Sequence, residues 1–228
     1  MKYIAIILAG GSGRRMGNAL PKQFLKVRNR TIIEYTIDTF EKSECIDEIV
    51  IVTHPDYVED MQQIVASNPW MKVKNILLGG KERTDSTISA LRAYTNNEDR
   101  LLIHDGVRPL VSQDIIKNVC EGLTEYNAVN LVISAVDTII EVKDNIMVGA
   151  PPRASLRQVQ TPQGFKRETL ARAYEIALKD PNFVATDDCG VVFKYTPEIP
   201  IKIVEGDTTN IKITYKADLE FLEKQIEG

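Results

Sequence analysis

Short runs of consecutive apolar residues alternate along the chain with segments whose apolar positions recur every three or four residues. Ile4–Leu8, Ile49–Val52, Leu101–Ile103 and Leu131–Ile133 are nearly unbroken apolar runs, the pattern of strands covered on both faces. Between them, Ile33, Ile37 and Phe40 fall at i, i+4 and i+7. Ile88 and Leu91 share a second helical face, followed by Tyr94, and Ile116, Val119 and Leu123 mark a third, with Ser112 available as its N-cap. Strand–helix–strand repetition predicts right-handed crossovers and an α/β, Rossmann-like, doubly wound and mostly parallel sheet. Such sheets bind ligands beyond the carboxyl ends of their strands.

The rhythm breaks between Asp137 and Gln163. Val136–Val142 has β character, Lys143-Asp-Asn is turn-like, and Pro151, Pro152 and Pro162 exclude a continuous helix. Residues 137–163 are therefore expected to form a β-arm protruding from a single domain of residues 1–228. Helical spacing resumes at Leu170, Tyr174 and Leu178, a strand is expected near Ile201–Val204, and a last helix carries Leu219, Leu222 and Ile226.

Composition narrows the function classes. The 228 residues are 43% hydrophobic and 26% charged, the proportions of an ordinary globular protein. The apolar run near Met1 is far too short to span a bilayer and lacks the cleavage site of a signal peptide, so a cytoplasmic location and no membrane partner are expected. Lys plus Arg total 28 and Asp plus Glu 32, a formal charge of −4, which argues against a nucleic-acid partner. Cys45, Cys120 and Cys189 are widely separated in sequence and read as reduced thiols. Two histidines, His54 and His104, are too few and too far apart for a zinc site.

Leu8-Ala9-Gly10-Gly11-Ser12-Gly13-Arg14-Arg15-Met16-Gly17, then Pro21-Lys22, is the most informative stretch. Glycines directly after a buried strand let backbone N–H groups approach a phosphate without Cβ obstruction. The spacing matches neither G-x-x-x-x-G-K-[ST] nor G-x-G-x-x-G. What remains is a glycine loop whose Arg14, Arg15 and Lys22 face phosphates, or a strand-ending turn with solvated basic residues.

The same loop, followed by Pro-Lys-Gln-Phe, resembles the signature of nucleotide-sugar pyrophosphorylase-like nucleotidyltransferases. Gly79-Gly-Lys-Glu-Arg-Thr-Asp-Ser, His104-Asp-Gly-Val-Arg-Pro, Gln160-Thr-Pro-Gln-Gly-Phe and Asn210-Ile-Lys-Ile-Thr are similar to successive blocks of one family. That family is the cytidylyltransferases acting on 2-C-methyl-D-erythritol 4-phosphate or ribitol 5-phosphate. The blocks run in family order from residue 4 to residue 214. The resemblance implies a nucleotide-diphospho-sugar transferase-like fold, CTP and an alcohol phosphate as substrates, Mg²⁺ or another divalent cation, and a homodimer built through the arm.

It also implies roles. Arg15, Lys22 and Lys212 would be catalytic. Leu8, Ala9, Gly10, Gly11, Ser12, Gly13 and Arg14 would bind CTP together with Gly80, Arg83, Ser86, Asp105 and Gly106. Asp105 would hold the metal or the ribose. Thr138 and Arg153 on the arm, with Thr161 and Thr186 on the body, would bind the alcohol phosphate. Simpler roles stay open: Asp85 and Ser86 as helix caps, His104 as a structural residue, Arg108 as a loop closer, Arg153 as an interface ion pair. Leu8-Ala-Gly-Gly, Gly106-Val107, Thr209 and Asp188-Cys189 depart from the methylerythritol pattern, so ribitol 5-phosphate or a related polyol phosphate is the expected acceptor and methylerythritol phosphate the alternative. A non-catalytic nucleotide-binding relative is a second alternative.

Overall fold

A computed structural model describes residues 1–11 and 20–227. β1 (Tyr3–Ala9) lies in the middle of the main sheet, hydrogen-bonded in parallel to β4 (Glu48–Thr53) on one side and β6 (Arg100–Asp105) on the other. Its alternation feeds two cores. Ala5, Ile7 and Ala9 pack against α1 (Ile32–Glu41), α2 (Val58–Ala66) and α4 (Gln113–Glu125). Ile4, Ile6 and Leu8 pack against α3 (Arg83–Ala93), α5 (Arg167–Ala177) and α6 (Asp188–Tyr195). An apolar residue at every position of β1 is thus the signature of burial on both faces.

Outward from β4 the sheet ends at β5 (Val73–Leu78), again parallel. Outward from β6 it continues through β11 (Gln163–Lys166) to β7 (Ala128–Ser134), which also pairs with β10 (Arg157–Val159) and, in parallel, with β12 (Ile201–Glu205). β11 runs antiparallel to both β6 and β7, and β10 antiparallel to β7. The expected parallel sheet therefore holds in its core and is broken where the chain returns from the arm. A short hairpin, β2 (Lys26–Val27) and β3 (Arg30–Thr31), docks with α7 (Lys216–Glu227) around Ile32, Ile213 and Leu222.

The arm is shorter than its composition suggests. β8 (Glu141–Lys143) and β9 (Ile146–Gly149) form a separate two-stranded sheet. Asp144 and Asn145 turn it with φ of 52° and 61°, the left-handed pair that suits a tight hairpin's twist. Residues 157–159 and Gln163, assigned to the arm from sequence, are back in the main sheet. Val142, Ile146, Met147 and Val148 on the hairpin are more than half exposed.

Three elements had no clear pattern to read. β5 is only partly buried and mixes Lys74 and Asn75 with its apolar residues. α2 buries Met61 alone, and α6 begins in a segment that reads as loop, with the Asp187 side chain accepting from the Gly190 N–H as its N-cap. Cys45 and Cys120, 75 residues apart in sequence, bring their sulfurs to 3.0 Å across the turn after α1 and the α4 face, and both remain thiols.

β11 passes so close under α4 that a Cβ on Gly164 would lie 2.8 Å from Val119 Cγ1 and 2.9 Å from Leu123 Cδ1. Val119 and Leu123 are themselves buried in the core. Gly164→Ala is expected to destabilise the protein by about 1–3 kcal/mol through overpacking, measured by urea unfolding. An unchanged midpoint would show that α4 can move away from the sheet freely.

Candidate active site

β1, β4 and β6 all point their carboxyl ends at one cavity of about 940 Å³, and the segment around Lys212 closes it. Its first wall is the turn after β1. Gln23, 2% exposed, donates its amide to the carbonyls of Ala9 (2.6 Å) and Gly11 (3.1 Å), so the glycine turn is held by a side chain twelve or more residues on. The second wall starts α3. Glu82 and Asp85 form a reciprocal capping box there, with the Glu82 N–H donating to Asp85 (3.0 Å). Asp85 is thus a cap, while Ser86 is buried and faces the cavity. A Cβ on Gly10 would lie 3.1 Å from the Ser86 hydroxyl, and one on Gly79 only 2.7 Å from it. Both turns approach this hydroxyl closely because they lack side chains.

Asp105, the last residue of β6 and 8% exposed, gathers three cations. Lys212 Nζ lies 2.9 Å and Arg108 Nε 3.4 Å from its Oδ2, and Arg83 Nε lies 3.7 Å from its Oδ1. Arg83 in turn donates at 2.6 Å to Asp188, a fully buried carboxylate that also accepts from the Tyr174 hydroxyl at 2.7 Å. Burial alone would raise the Asp105 pKa, but Lys212, Arg83 and Arg108 more than reverse it and hold the carboxyl well below its usual range. Arg83 is pulled down by burial and pulled up further by Asp188 and Asp105, so it stays charged. These five groups carry three positive and two negative charges, a local surplus of one within a chain of charge −4.

Lys22 reaches the same region from the opposite end of the chain, donating to the Ile213 carbonyl at 3.3 Å, one residue past Lys212. A second cavity of about 290 Å³ opens beside the first and shares Arg83, Asp105, Thr186 and Lys212 with it. Its far wall is Thr161 and Gln163. Gln163, fully buried, donates to Asp187 (2.6 Å) and Asn130 (2.9 Å) and accepts from the Asp188 N–H (3.1 Å). It thereby fixes the start of α6 and the Thr186 loop ahead of it.

The structure brings together Leu8, Ala9, Gly10, Gly11, Lys22, Gly80, Arg83, Ser86, Asp105, Thr186 and Lys212 in the larger cavity, and Thr161 in the smaller. Ser12, Gly13, Arg14 and Arg15 lie outside the described residues. Gly106 lines neither cavity. Its N–H donates to the Leu8 carbonyl at 2.8 Å, and a Cβ there would meet Ile33 Cδ1 at 2.6 Å, so it joins β1 to β6. Thr138 and Arg153 are exposed on the arm and line neither cavity, with Arg153 donating to the Val136 carbonyl at 3.1 Å. Arg108 both pairs with Asp105 and closes the loop, donating to the Asn210 carbonyl at 2.8 Å. No site role was legible in the sequence for Gln23, Gln163 or Asp188. The first two stand inside recognised blocks, and Asp188 stood out only, with Cys189, as a departure from the methylerythritol pattern.

Asp105 does not fit the role of metal ligand. Three cations already face its two oxygens, and among the described residues no group of three or more His, Cys, Asp or Glu side chains can hold a metal ion.

A glycine turn and converging cations at the carboxyl ends of a doubly wound sheet suit an enzyme that transfers a nucleotidyl group between phosphates. The class is that of the nucleotidyltransferases. Residues 3–227 match the model of the 2-C-methyl-D-erythritol 4-phosphate cytidylyltransferase (IspD) family, and the chain belongs to it. It is 40% identical to the 2-C-methyl-D-erythritol 4-phosphate cytidylyltransferase of Thermobifida fusca, over 97% of this chain and 92% of that one. It is 43% identical to the bifunctional ribulose 5-phosphate reductase/CDP-ribitol pyrophosphorylase Bcs1 of Haemophilus influenzae, over 98% of this chain but 48% of that one. Among solved structures, the 4-diphosphocytidyl-2C-methyl-D-erythritol synthase of Anaerococcus prevotii superposes with a TM-score of 0.87 at 28% identity, covering 100% of this chain and 96% of that one. No helix among the described residues is long and apolar enough to cross a membrane.

Because the Asp105 pKa is depressed in the folded state, its contribution to stability is present above the unfolded-state value of about 3.9 and is lost as pH falls toward the native value. Asp105→Asn is expected to flatten the acid limb of the stability–pH curve, followed by thermal unfolding between pH 7 and pH 2. An acid limb unchanged in the variant would show that the three cations gain nothing from this carboxylate.

Proposed function

We propose that the enzyme transfers a cytidylyl group from CTP to 2-C-methyl-D-erythritol 4-phosphate, giving the CDP-alcohol and pyrophosphate. The convergence of Lys22, Lys212 and Arg83 on the larger cavity, with Arg108 lining the smaller one beside it, supports the phosphate chemistry. The family match supports the nucleotide and this acceptor. It displaces ribitol 5-phosphate, expected first from the sequence, to second place. Ribitol phosphate keeps a specific argument in the Haemophilus relative.

An anionic oxygen of the acceptor phosphate attacks the α-phosphorus of CTP. The bond from that phosphorus to the bridging oxygen breaks, pyrophosphate leaves with the electron pair, and a new phosphoanhydride forms. The attacking oxygen carries no proton, so no general base is needed. The work of the protein is to hold two polyanions in line and to offset their repulsion. Lys22 and Lys212, fixed beside each other by the Lys22–Ile213 contact, are the cations assigned to the transferred phosphate and the acceptor. Arg15 is assigned with them on the resemblance of its loop. The glycine turn and Ser86 are assigned to the nucleotide, Thr186 to the acceptor. Mg²⁺ is expected to arrive on the triphosphate oxygens.

The arm is assigned to a homodimer in which Thr138 and Arg153 of each subunit complete the acceptor site of the other. Its support is the exposed Val142, Ile146, Met147 and Val148 and the exposed Thr138 and Arg153, which line neither of this chain's two cavities. Val142→Asp with Val148→Asp is expected to give a monomer by sedimentation, with the KM for the alcohol phosphate raised more than the KM for CTP. A fully active monomer would remove the arm from the site.

Pyrophosphate release with CTP and a panel of alcohol phosphates tests the reading. Turnover is expected with methylerythritol phosphate. Preference for ribitol phosphate would favour the second reading. CTP-dependent thermal stabilisation without release from any acceptor would favour a binding protein. Lys22→Ala and Lys212→Ala are each expected to lose about 10²–10³ in kcat, the range for a lost transition-state donor, with both variants folded at the assay temperature. Near-normal turnover of either would take that lysine out of the mechanism.

A further inference from the structure

The hydroxyl of Thr161 is placed by His104, a buried residue outside both cavities. His104 lies on β6, with its ring 4.9 Å from that of Phe40 and no exposed surface. Its Nε2 is 3.1 Å from the Arg108 carbonyl, and its Nδ1 is 3.1 Å from Thr161 Oγ1. The same Oγ1 accepts the Asp105 N–H at 3.1 Å.

Hydrogen-bond valence settles the direction of each contact. A carbonyl oxygen only accepts, so the ring hydrogen sits on Nε2. A buried imidazole without a carboxylate contact is neutral, which leaves Nδ1 as an acceptor. The one hydrogen of Thr161 therefore points at Nδ1, and one of its lone pairs receives the Asp105 N–H. The remaining lone pair accepts.

We infer that His104 is a positioning residue whose Nε2–H tautomer commits the Thr161 hydroxyl to anchoring Asp105, leaving Thr161 to the ligand as an acceptor only. Thr161 then cannot donate a hydrogen bond to a phosphate oxygen. It suits a donor, such as a hydroxyl on the alcohol portion of the acceptor. The phosphate falls to the cations of the shared wall. This deepens the cytidylyl-transfer reading by dividing the smaller cavity, lined by both Thr161 and Lys212, into a hydroxyl-reading side and a phosphate-reading side.

The chain has two histidines, so ¹⁵N-histidine NMR at neutral pH resolves both rings, with His54→Gln assigning them. The expected spectrum for His104 is a neutral Nε2–H tautomer with Nδ1 as acceptor. An Nδ1–H tautomer or an imidazolium would overturn the inference. This spectrum needs neither a substrate nor a core variant, so its failure is distinct from failure of the functional reading. For kinetics, the asparagine side-chain oxygen can replace Nδ1 as acceptor, whereas glutamine keeps a donor at the Nε2 position. His104→Asn is expected to retain at least about tenfold more kcat/KM for the alcohol phosphate than His104→Gln, the scale of one buried donor left unpaired. Equal losses in two folded variants would overturn the link to Thr161.

Discussion

One buried carboxylate organises the functional end of this molecule. Asp105 terminates a central strand, and three cations from three separate parts of the chain converge on it. Burying a carboxylate unpaired is costly, and a cluster of cations without a counter-ion repels itself. Neither arrangement is stable alone. Together they keep arginine and lysine side chains close in a concave site before any polyanion enters. Asp188 extends the same logic one step inward, fixing Arg83 from behind while the Arg83 Nε lies toward Asp105. The catalytic surface is preorganised by charges that satisfy one another, with a surplus of one positive charge left for the substrates.

That surplus explains how an acidic protein handles phosphates. The overall charge governs long-range encounters with polyanions such as nucleic acids, whereas the site acts over a few ångströms, within a Debye length. A chain of charge −4 thus discourages non-specific polyanion binding while retaining a local anion site.

The sheet core was legible because burial on both faces leaves an unbroken apolar run, as in β1, β4 and β6. Partly exposed β5 and the short α6 lack that pressure. The antiparallel return of β11 was illegible for another reason: strand direction depends on the path of the arm, not on the residues of β11. In the site, glycines and charged residues could be found from their motifs. The amides of Gln23 and Gln163 could not be given roles, because a hydrogen-bonding role is invisible until the acceptors it unites are known. Gly106 belongs to a recognised block, and only coordinates show that the Leu8 carbonyl and Ile33 also crowd its α-carbon. Thr161 and His104 likewise needed coordinates, since the direction of their shared hydrogen bond is set by a carbonyl of Arg108 on the far side of the ring.

The order in which the chain supplies these parts has a consequence for biosynthesis. Every strand of the main sheet is complete by Glu205, whereas Lys212 follows in the connection to α7. Synthesis proceeds from the amino end at roughly 5–20 residues per second, so a nascent chain can assemble its sheet while the Asp105 cluster still lacks its nearest cation. Scaffold and charge cluster are separated in time, and a growing polypeptide completes the ring of cations around Asp105 only after its sheet is in place.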